Sequence, residues 1–306
     1  MNQTMNQTNP QMKTPALVVT VVIDNNPSKT DATLLTEHGL SFHVEVDGHS
    51  WLYDVGASRK WAENAKRLGI DSTQIEQLIC SHGHKDHTGG LSTFFTLNDH
   101  APVLATKEAF THTYFSYRHG PIRNISVDQE VVAAHAERIQ YIAQDTVLSS
   151  HVLAVRNHVH TYAMPAGNQS LKEAAPGEEK KAYQGDDELA LAIQLPQGLV
   201  ILSSCSHNGL LNITASCVQA TGCDHIIAFI GGLHLVDSPA GENSQLASDE
   251  IIYDDVEKIA QQIKTNYPDL YLYTGHCTGP KAQSILKEAL GNHFASFSSG
   301  FRVAFD

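Results

Sequence analysis

The sequence lacks the features that would assign it at once to a common functional class. It has no apolar run approaching the roughly 20 residues of a membrane-spanning helix, so we expect no membrane partner. It also has no Gly-x-Ser-x-Gly elbow, no P-loop and no Gly-x-Gly-x-x-Gly element. These absences make serine nucleophiles and nucleotide-binding loops poor starting hypotheses.

Basic residues are scarce. The chain of 306 residues has 20 Lys and Arg against 33 Asp and Glu, a formal net charge of −13. A surface this negative repels a polyphosphate backbone, which argues against nucleic acid as a partner. A small-molecule substrate is therefore the expected partner.

Cysteine is sparse, and its spacing suggests no disulfide framework. Five cysteines make an odd count, and no two of them form a Cys-x-x-Cys pair, so we expect reduced thiols. The first residues, MNQTMNQTNPQMKT, lack the charged-then-apolar order of a secretory signal. We predict a disordered tail over residues 1–14, a single domain over residues 15–306 and a cytoplasmic protein.

Apolar periodicity predicts strands alternating with helices and hairpins, a mixed α/β chain. One arrangement recurs four times: an apolar strand ends, and a loop of small residues delivers a histidine. The four histidines are His82, His207, His234 and His276. A polar stretch over residues 166–187 is typical of an exposed loop or lid, and its composition suggests mobility rather than chemistry.

The first of these loops, SHGHKDHTGG, concentrates metal-ligating side chains. His82, His84, Asp86 and His87 fall within six positions. Two imidazoles at i and i+2 can converge on one cation, while the carboxylate and the third imidazole face a neighbouring cation. Histidines are common in loops, but this density is hard to obtain from composition alone, so the loop predicts half of each of two adjacent metal sites.

The order of the motifs resembles a known family. SHGHKDHTGGL is similar to the signature of the metallo-β-lactamase superfamily, and WLYDVGAS resembles its strand-to-aspartate-glycine element. With SSCSHNGL, GGLHL and TGHCTG, the order resembles a subfamily labelled 7,8-dihydropterin-6-methyl-4-(β-D-ribofuranosyl)aminobenzene-5′-phosphate synthase-like, or metal-dependent hydrolases of the β-lactamase type. The resemblance covers nearly the whole chain after the tail. It implies a four-layer αββα sandwich with two metals at the edge of the facing sheets.

The resemblance also implies roles for individual residues. The predicted ligands are His82, His84 and His207 for the first metal, and Asp86, His87 and His276 for the second. Asp54 is expected to support the metal loop. Zn²⁺ is the expected metal, at one or two ions per chain, with Mn²⁺ or Fe²⁺ as alternatives.

Other residues near the motifs have open roles. Asp86 and His234 are the candidate catalytic residues. His234 would replace His276 on the second metal, act as an acid or electrophile beside the metals, or simply pack as a structural histidine. His234, Lys85 and Arg118 are candidate substrate contacts, with a solvated surface position as the alternative for the two cations.

The sequence departs from the family pattern at one point. The superfamily usually places a bridging aspartate at the end of a late strand, but the comparable strand here ends at Cys205 and Ser206. Asp186 or Asp187 would be the substitute, with a polar loop tip as their alternative role. A thiolate is a good zinc ligand, but packing is the commoner role of such a residue, so no cysteine is included in the predicted site.

The predicted function is that of a metal-dependent hydrolase of a small ester, lactone or phosphoester, using a metal-bound hydroxide. Bound zinc can lower the pKa of water from about 15.7 to about 7. One alternative is a synthase-like transferase that activates a phosphorylated or pyrophosphorylated substrate. The other is a metal-dependent binding or sensing protein without turnover.

Overall fold

The structure is a computed structural model that describes residues 16–118, 120–236 and 249–306, with residues 249–253 described for their backbone only. The predicted tail over residues 1–14 lies outside the described residues. None of the described helices is long and apolar enough to cross a bilayer.

Strands and helices are numbered in chain order. The strands are β1 (Leu17–Ile23), β2 (Ser41–Val46), β3 (His49–Tyr53), β4 (Gln77–Ile79), β5 (Val103–Ala105), β6 (Thr113–Ser116), β7 (Arg123–Asn124), β8 (Ile139–Tyr141), β9 (Thr146–Val147), β10 (Val152–Arg156), β11 (Leu171–Ala174), β12 (Lys181–Ala182), β13 (Leu189–Leu195), β14 (Gly198–Leu202), β15 (Ile226–Ile230), β16 (Tyr271–Thr274), β17 (Phe294–Ser296) and β18 (Arg302–Phe305). The α-helices are α1 (Lys60–Arg67), α2 (Lys85–Thr88), α3 (Leu91–Leu97), α4 (Lys107–Thr111), α5 (Gln129–Ala134), α6 (Leu210–Thr221), α7 (Asp249–Asn266) and α8 (Pro280–Leu290). Short 3₁₀ turns lie at Ser72–Gln74, Ala136–Arg138, Ala166–Ser170 and Gly291–His293.

Two seven-stranded sheets form the centre of the fold. The first has the order β18-β1-β2-β3-β4-β5-β8, and the second has the order β17-β16-β15-β14-β13-β10-β9. Their facing sides share one apolar core, which includes Phe42, Leu191 and Phe297. Strand β1 is buried along its whole length, which explains why all of its residues except Thr20 are apolar.

Helices cover the outer face of each sheet. Trp61 of α1 and Phe94 of α3 pack on the first sheet, while Ile213 of α6 and Leu286 of α8 pack on the second. The layers are therefore helix, sheet, sheet, helix, and the predicted αββα sandwich is confirmed.

The stretch over residues 166–187 is not the predicted exposed loop throughout, because only residues 176–182 form a continuous exposed run. This stretch contains β11 and β12, which join β6 and β7 in a small third sheet. Glu173 is buried in β11, and its carboxylate lies 3.3 Å from the Lys181 ammonium. Leu171 packs with Tyr114 and Tyr183. The polar composition did not indicate a strand here. The charged Glu173 can be buried in β11 because Lys181 of the neighbouring strand β12 pairs with its carboxylate.

Parallel strands bring several loops to one edge of the sandwich. Strands β14, β15 and β16 run parallel in the second sheet, and β3, β4 and β5 run parallel in the first. Parallel neighbours place their carboxyl ends at the same edge of a sheet. The loops after these strands carry the histidines that the sequence singled out.

Tyr53, the last residue of β3, links the two sheets at this edge. Its hydroxyl donates to the Leu189 carbonyl at 2.6 Å, and its side chain is fully buried. Because a buried hydrogen bond of this kind is worth about 1 kcal/mol net, it stabilises the sheet pair next to the metal loop.

We predict that Tyr53→Phe lowers the free energy of unfolding by about 1–2 kcal/mol, since the Leu189 carbonyl loses a buried donor. Urea denaturation measures the change, which should appear in the midpoint with the slope unaltered. Tyr141→Phe is the control, because that side chain is 48% exposed. Equal midpoints for the two variants would contradict the assignment.

Candidate metal centre

The candidate site lies in the loops that follow the parallel strands. His82 and His84 follow β4, and His207, His234 and His276 follow β14, β15 and β16. All five are buried. The sequence therefore delivers these side chains to one place because they occupy equivalent positions at neighbouring strand ends.

The chain turns sharply as it leaves these strands. Asp54, Ser206, His234 and His276 have φ values of 64, 55, 51 and 49°. This left-handed region is uncommon for residues other than glycine and costs of order 1–3 kcal/mol when strained. Residues with this backbone conformation are often found at functional sites. Here the conformation directs the side chains toward the site.

Gly83 lies between His82 and His84, where the backbone packs too closely against its neighbours for a side chain. A Cβ added at this position would lie 2.3 Å from the Ala109 carbonyl oxygen and 2.4 Å from the Tyr114 ring. Any other residue would displace the loop that carries His82 and His84.

His82, His84 and His207 form the first cluster. Each offers a ring nitrogen within 4.8 Å of the others. The Nε2 atoms of all three are buried without a hydrogen-bond partner. Buried polar atoms are rarely left unpaired, so three convergent imidazole nitrogens fit a metal ion that takes nitrogen ligands.

Burial also sets the charge of this cluster. It lowers the pKa of His82 and His207 well below the usual value, and that of His84 to about 3. The imidazoles are neutral at physiological pH, and neutral imidazole is the form that binds metal.

Asp86, His87, Cys205 and His276 form the second cluster. His87 Nε2 lies 3.1 Å from His276 Nε2 and 3.2 Å from Cys205 Sγ. Asp86 Oδ2 lies 3.6 Å from His87 Nε2 and 3.5 Å from His276 Nε2. Burial raises the pKa of Asp86, but His87, His276 and His38 outweigh it and hold that pKa well below its usual range. The cluster thus offers two imidazoles, a carboxylate and a thiol to a second cation.

Four of the histidines are held through Nδ1, which leaves Nε2 for the centre. The contacts are His82 to Ser81 Oγ at 2.8 Å, His87 to Asp54 Oδ2 at 2.8 Å, His207 to Asn168 Oδ1 at 3.0 Å and His276 to Asn25 Oδ1 at 3.0 Å. Such partners fix the orientation and tautomer of ligating histidines. The side chains are therefore arranged with their Nε2 atoms available for metal binding.

A cavity of about 450 Å³ opens beside the two clusters. Asp86, His207 and His234 line it, together with three cations, Lys85, Arg118 and Arg123. The structure therefore brings both predicted cationic contacts, Lys85 and Arg118, to the cavity.

His234 and His276 occupy different places in the site. His276 joins Asp86 and His87, whereas His234 lies beside His207, with ring centroids 4.2 Å apart. Arg118 Nη2 lies 3.0 Å from His234 Nε2. A guanidinium only donates, so Nε2 accepts, and the neutral ring carries its proton on Nδ1. The contact lets His234 hold Arg118 at the cavity, and a His234 ring nitrogen also lies within 4.8 Å of the ligand atoms of His207 and Cys205.

Asp186 and Asp187, the two possible substitutes for a bridging aspartate, do not join the two clusters. Asp187 accepts hydrogen bonds from the Gly83 amide at 2.9 Å and from the Tyr183 hydroxyl at 2.7 Å. Asp186 is exposed. Neither belongs to a metal-ligating cluster in the described part of the chain. Asp187 instead supports the metal loop through its hydrogen bond with the Gly83 amide. Burial raises the pKa of Asp187 to about 6.

Sequence reasoning missed several residues of the site. His38 lies at the cavity, with its Nε2 atom 3.4 Å from Asp86 Oδ2. Arg123 lines the cavity, and Cys205 belongs to the second cluster. Proximity to a metal motif could have signalled Cys205, but Asn168 lies in a polar stretch that carries no such signal.

Comparisons with known proteins agree with this geometry. Residues 36–166 match the family model of the Metallo-beta-lactamase superfamily. The chain is similar to the 7,8-dihydropterin-6-methyl-4-(beta-D-ribofuranosyl)-aminobenzene-5'-phosphate synthase of Methanocaldococcus jannaschii, with 27% identity over 301 residues, 88% of this chain and 90% of that protein. An uncharacterized protein of the same organism is 26% identical over 281 residues, 89% of this chain and 94% of its own.

Solved structures show the same fold. Tm1679, described as a metal-dependent hydrolase of the beta-lactamase superfamily, has a TM-score of 0.73 and 26% identity, covering 94% of this chain and 98% of its own. YhfI from Bacillus subtilis, a metallo-beta-lactamase fold protein, has a TM-score of 0.54 at 12% identity, covering 95% of this chain and 99% of its own. With the αββα sandwich and the histidine clusters, these matches show that the chain has the metallo-β-lactamase fold and that residues 36–166 form part of a domain of the Metallo-beta-lactamase superfamily.

Proposed function

We propose that this protein is a metal-dependent hydrolase of a small ester, lactone or phosphoester. The observation that carries the proposal is the set of three buried, unpartnered imidazole nitrogens, on His82, His84 and His207, beside an open cavity. A purely structural site would leave these atoms paired with protein donors.

The chain's own residues suggest how such a reaction is organised. Bound dications would polarise the substrate oxygen and make water a stronger acid. Asp86 stays ionised, so Oδ2 can accept a hydrogen bond from the attacking water and orient it. Arg118, held by His234, supplies fixed donors to an oxygen that gains charge.

The charge of the cavity favours an anionic substrate. The chain as a whole carries a net charge of −13, yet Lys85, Arg118 and Arg123 all line this cavity. Arginine binds planar or tetrahedral oxyanions well because its donors form a rigid fork. We therefore favour a phosphoester or a carboxylate-bearing ester within the proposed classes.

A transferase is the second candidate function. The similarity to the M. jannaschii synthase extends over 88% of this chain, and the basic cavity suits a phosphorylated or pyrophosphorylated substrate equally well. In that reaction a second substrate takes the place of water as the nucleophile. A binding or sensing protein, which keeps the ligands without turnover, is distinguished by inertness toward both reactions.

Several finer features belong to the same proposal. We infer zinc at one or two ions per chain, with Mn²⁺ or Fe²⁺ as alternatives, because the ligands are mainly imidazole and carboxylate. Five free cysteines support a reducing, cytoplasmic location. We also retain a single domain over residues 15–306 and a small-molecule substrate, without nucleic acid or membrane partners.

The two late histidines should differ in metal binding. We predict that His276→Ala binds about one equivalent of zinc less than the wild type and that His234→Ala binds as much as the wild type, because only His276 contacts Asp86 and His87. Elemental analysis after dialysis measures the content. Metal loss in His234→Ala with retention in His276→Ala would reverse the assignment, and absence of metal from the wild type would refute the proposed function.

Arg118 should determine the preference for anionic substrates. A charge-assisted contact is worth about 1.5–3 kcal/mol, so Arg118→Gln should lower kcat/KM for phosphoesters by about 10–100-fold. The same variant should change kcat/KM for neutral esters or lactones much less. Lys107→Gln is the control, because Lys107 is exposed on α4 outside the cavity.

This substrate panel also separates the candidate functions. Chelator-sensitive hydrolysis of any member supports the hydrolase. Release of phosphate or pyrophosphate only when a second substrate is present would favour the transferase. An equal loss on neutral and anionic substrates in Arg118→Gln would contradict the proposed anion contact.

A further inference from the structure

Cys205 lies where the two metal-binding clusters meet. It follows β14 in the loop that leads to His207, and it is 3% exposed. Its Sγ atom forms one group of potential metal ligands with Asp86, His87 and His276. It forms a second such group with His207 and His234. In each group the ligating atoms lie within 4.8 Å of one another. Cys205 is thus close both to the second cluster and to a histidine of the first.

The other nearby acidic groups are already engaged. Asp54 accepts hydrogen bonds from the Ser81 amide and hydroxyl, each at 2.7 Å, and contacts His87 Nδ1 at 2.8 Å. Asp187 is turned toward Gly83 and Tyr183. Among the described residues, neither carboxylate is free to bridge two cations in this arrangement.

From this geometry we infer that the Cys205 thiolate is a metal ligand shared by both sites, in place of a bridging carboxylate. On metal binding the S–H bond breaks, the proton passes to solvent, and sulfur–metal bonds form. A thiolate favours zinc over manganese because it is a softer ligand than carboxylate. The inference rests on the proposed function in one respect: it requires that the histidine clusters bind metal.

A second cysteine in the same cavity does not share this position. Cys277 lines the cavity, but its sulfur lies 3.2 Å from the His234 amide nitrogen and 3.6 Å from the Cys205 carbonyl oxygen. It belongs to none of the metal-ligating groups among residues 16–118, 120–236 and 249–306. The two neighbouring thiols therefore provide a matched comparison.

The test uses the full chain loaded with Co²⁺, which reports thiolate ligation through a near-ultraviolet charge-transfer band. We expect the band in the wild type, its retention in Cys277→Ser and its loss in Cys205→Ser. Cys217→Ser is the neutral control, because Cys217 lies buried in α6 among apolar side chains. Cys205→Asp should bind two Co²⁺ ions without the band, since a carboxylate restores the bridge.

The outcomes separate this inference from the proposed function. Cobalt binding without the band in the wild type, or a band that survives in Cys205→Ser, would overturn ligation by Cys205 while the hydrolase proposal stands. No cobalt binding at all would remove both. If Cys205→Ser does not fold, X-ray absorption of the zinc-loaded wild type decides, because a thiolate ligand gives sulfur scattering at about 2.3 Å; its absence would overturn the inference.

Discussion

The buried carboxylate of Asp54 is the interaction on which the rest of the site depends. One oxygen accepts from the Ser81 amide, and the other accepts from the Ser81 hydroxyl and contacts His87 Nδ1. Ser81 in turn contacts His82 Nδ1. One carboxylate at the end of β3 therefore sets the start of the metal loop and the orientation of a ring in each cluster.

The sandwich makes this arrangement possible because its two sheets supply loops to the same edge. The first sheet contributes the metal loop after β4, and the second contributes His207, His234 and His276 after three parallel strands. Tyr53 joins the sheets directly beside Asp54. The backbone at Asp54, His234 and His276 is left-handed, an unfavourable conformation that the packing of the sandwich has to hold in place.

Much of this could be predicted from local sequence. The apolar strand Leu17–Ile23 and the dense metal loop are each recognisable from a few neighbouring residues. The contacts that could not be predicted join distant positions. Asn168 reaches His207 across 39 residues, and Asn25 reaches His276 across 251. Polar residues of this kind follow no periodicity that would reveal their contacts. The charge of Glu173 also argued against a strand, although its carboxylate pairs with Lys181 in the structure.

The central claim is that the His82, His84 and His207 nitrogens converge to bind a metal ion. Anomalous diffraction at the zinc edge, from crystals of protein grown with zinc, tests it most directly. The account predicts one anomalous peak about 2.0–2.1 Å from the Nε2 atoms of all three residues, and a second peak beside Asp86, His87 and His276. Zinc-saturated crystals without a peak at the three nitrogens would contradict it.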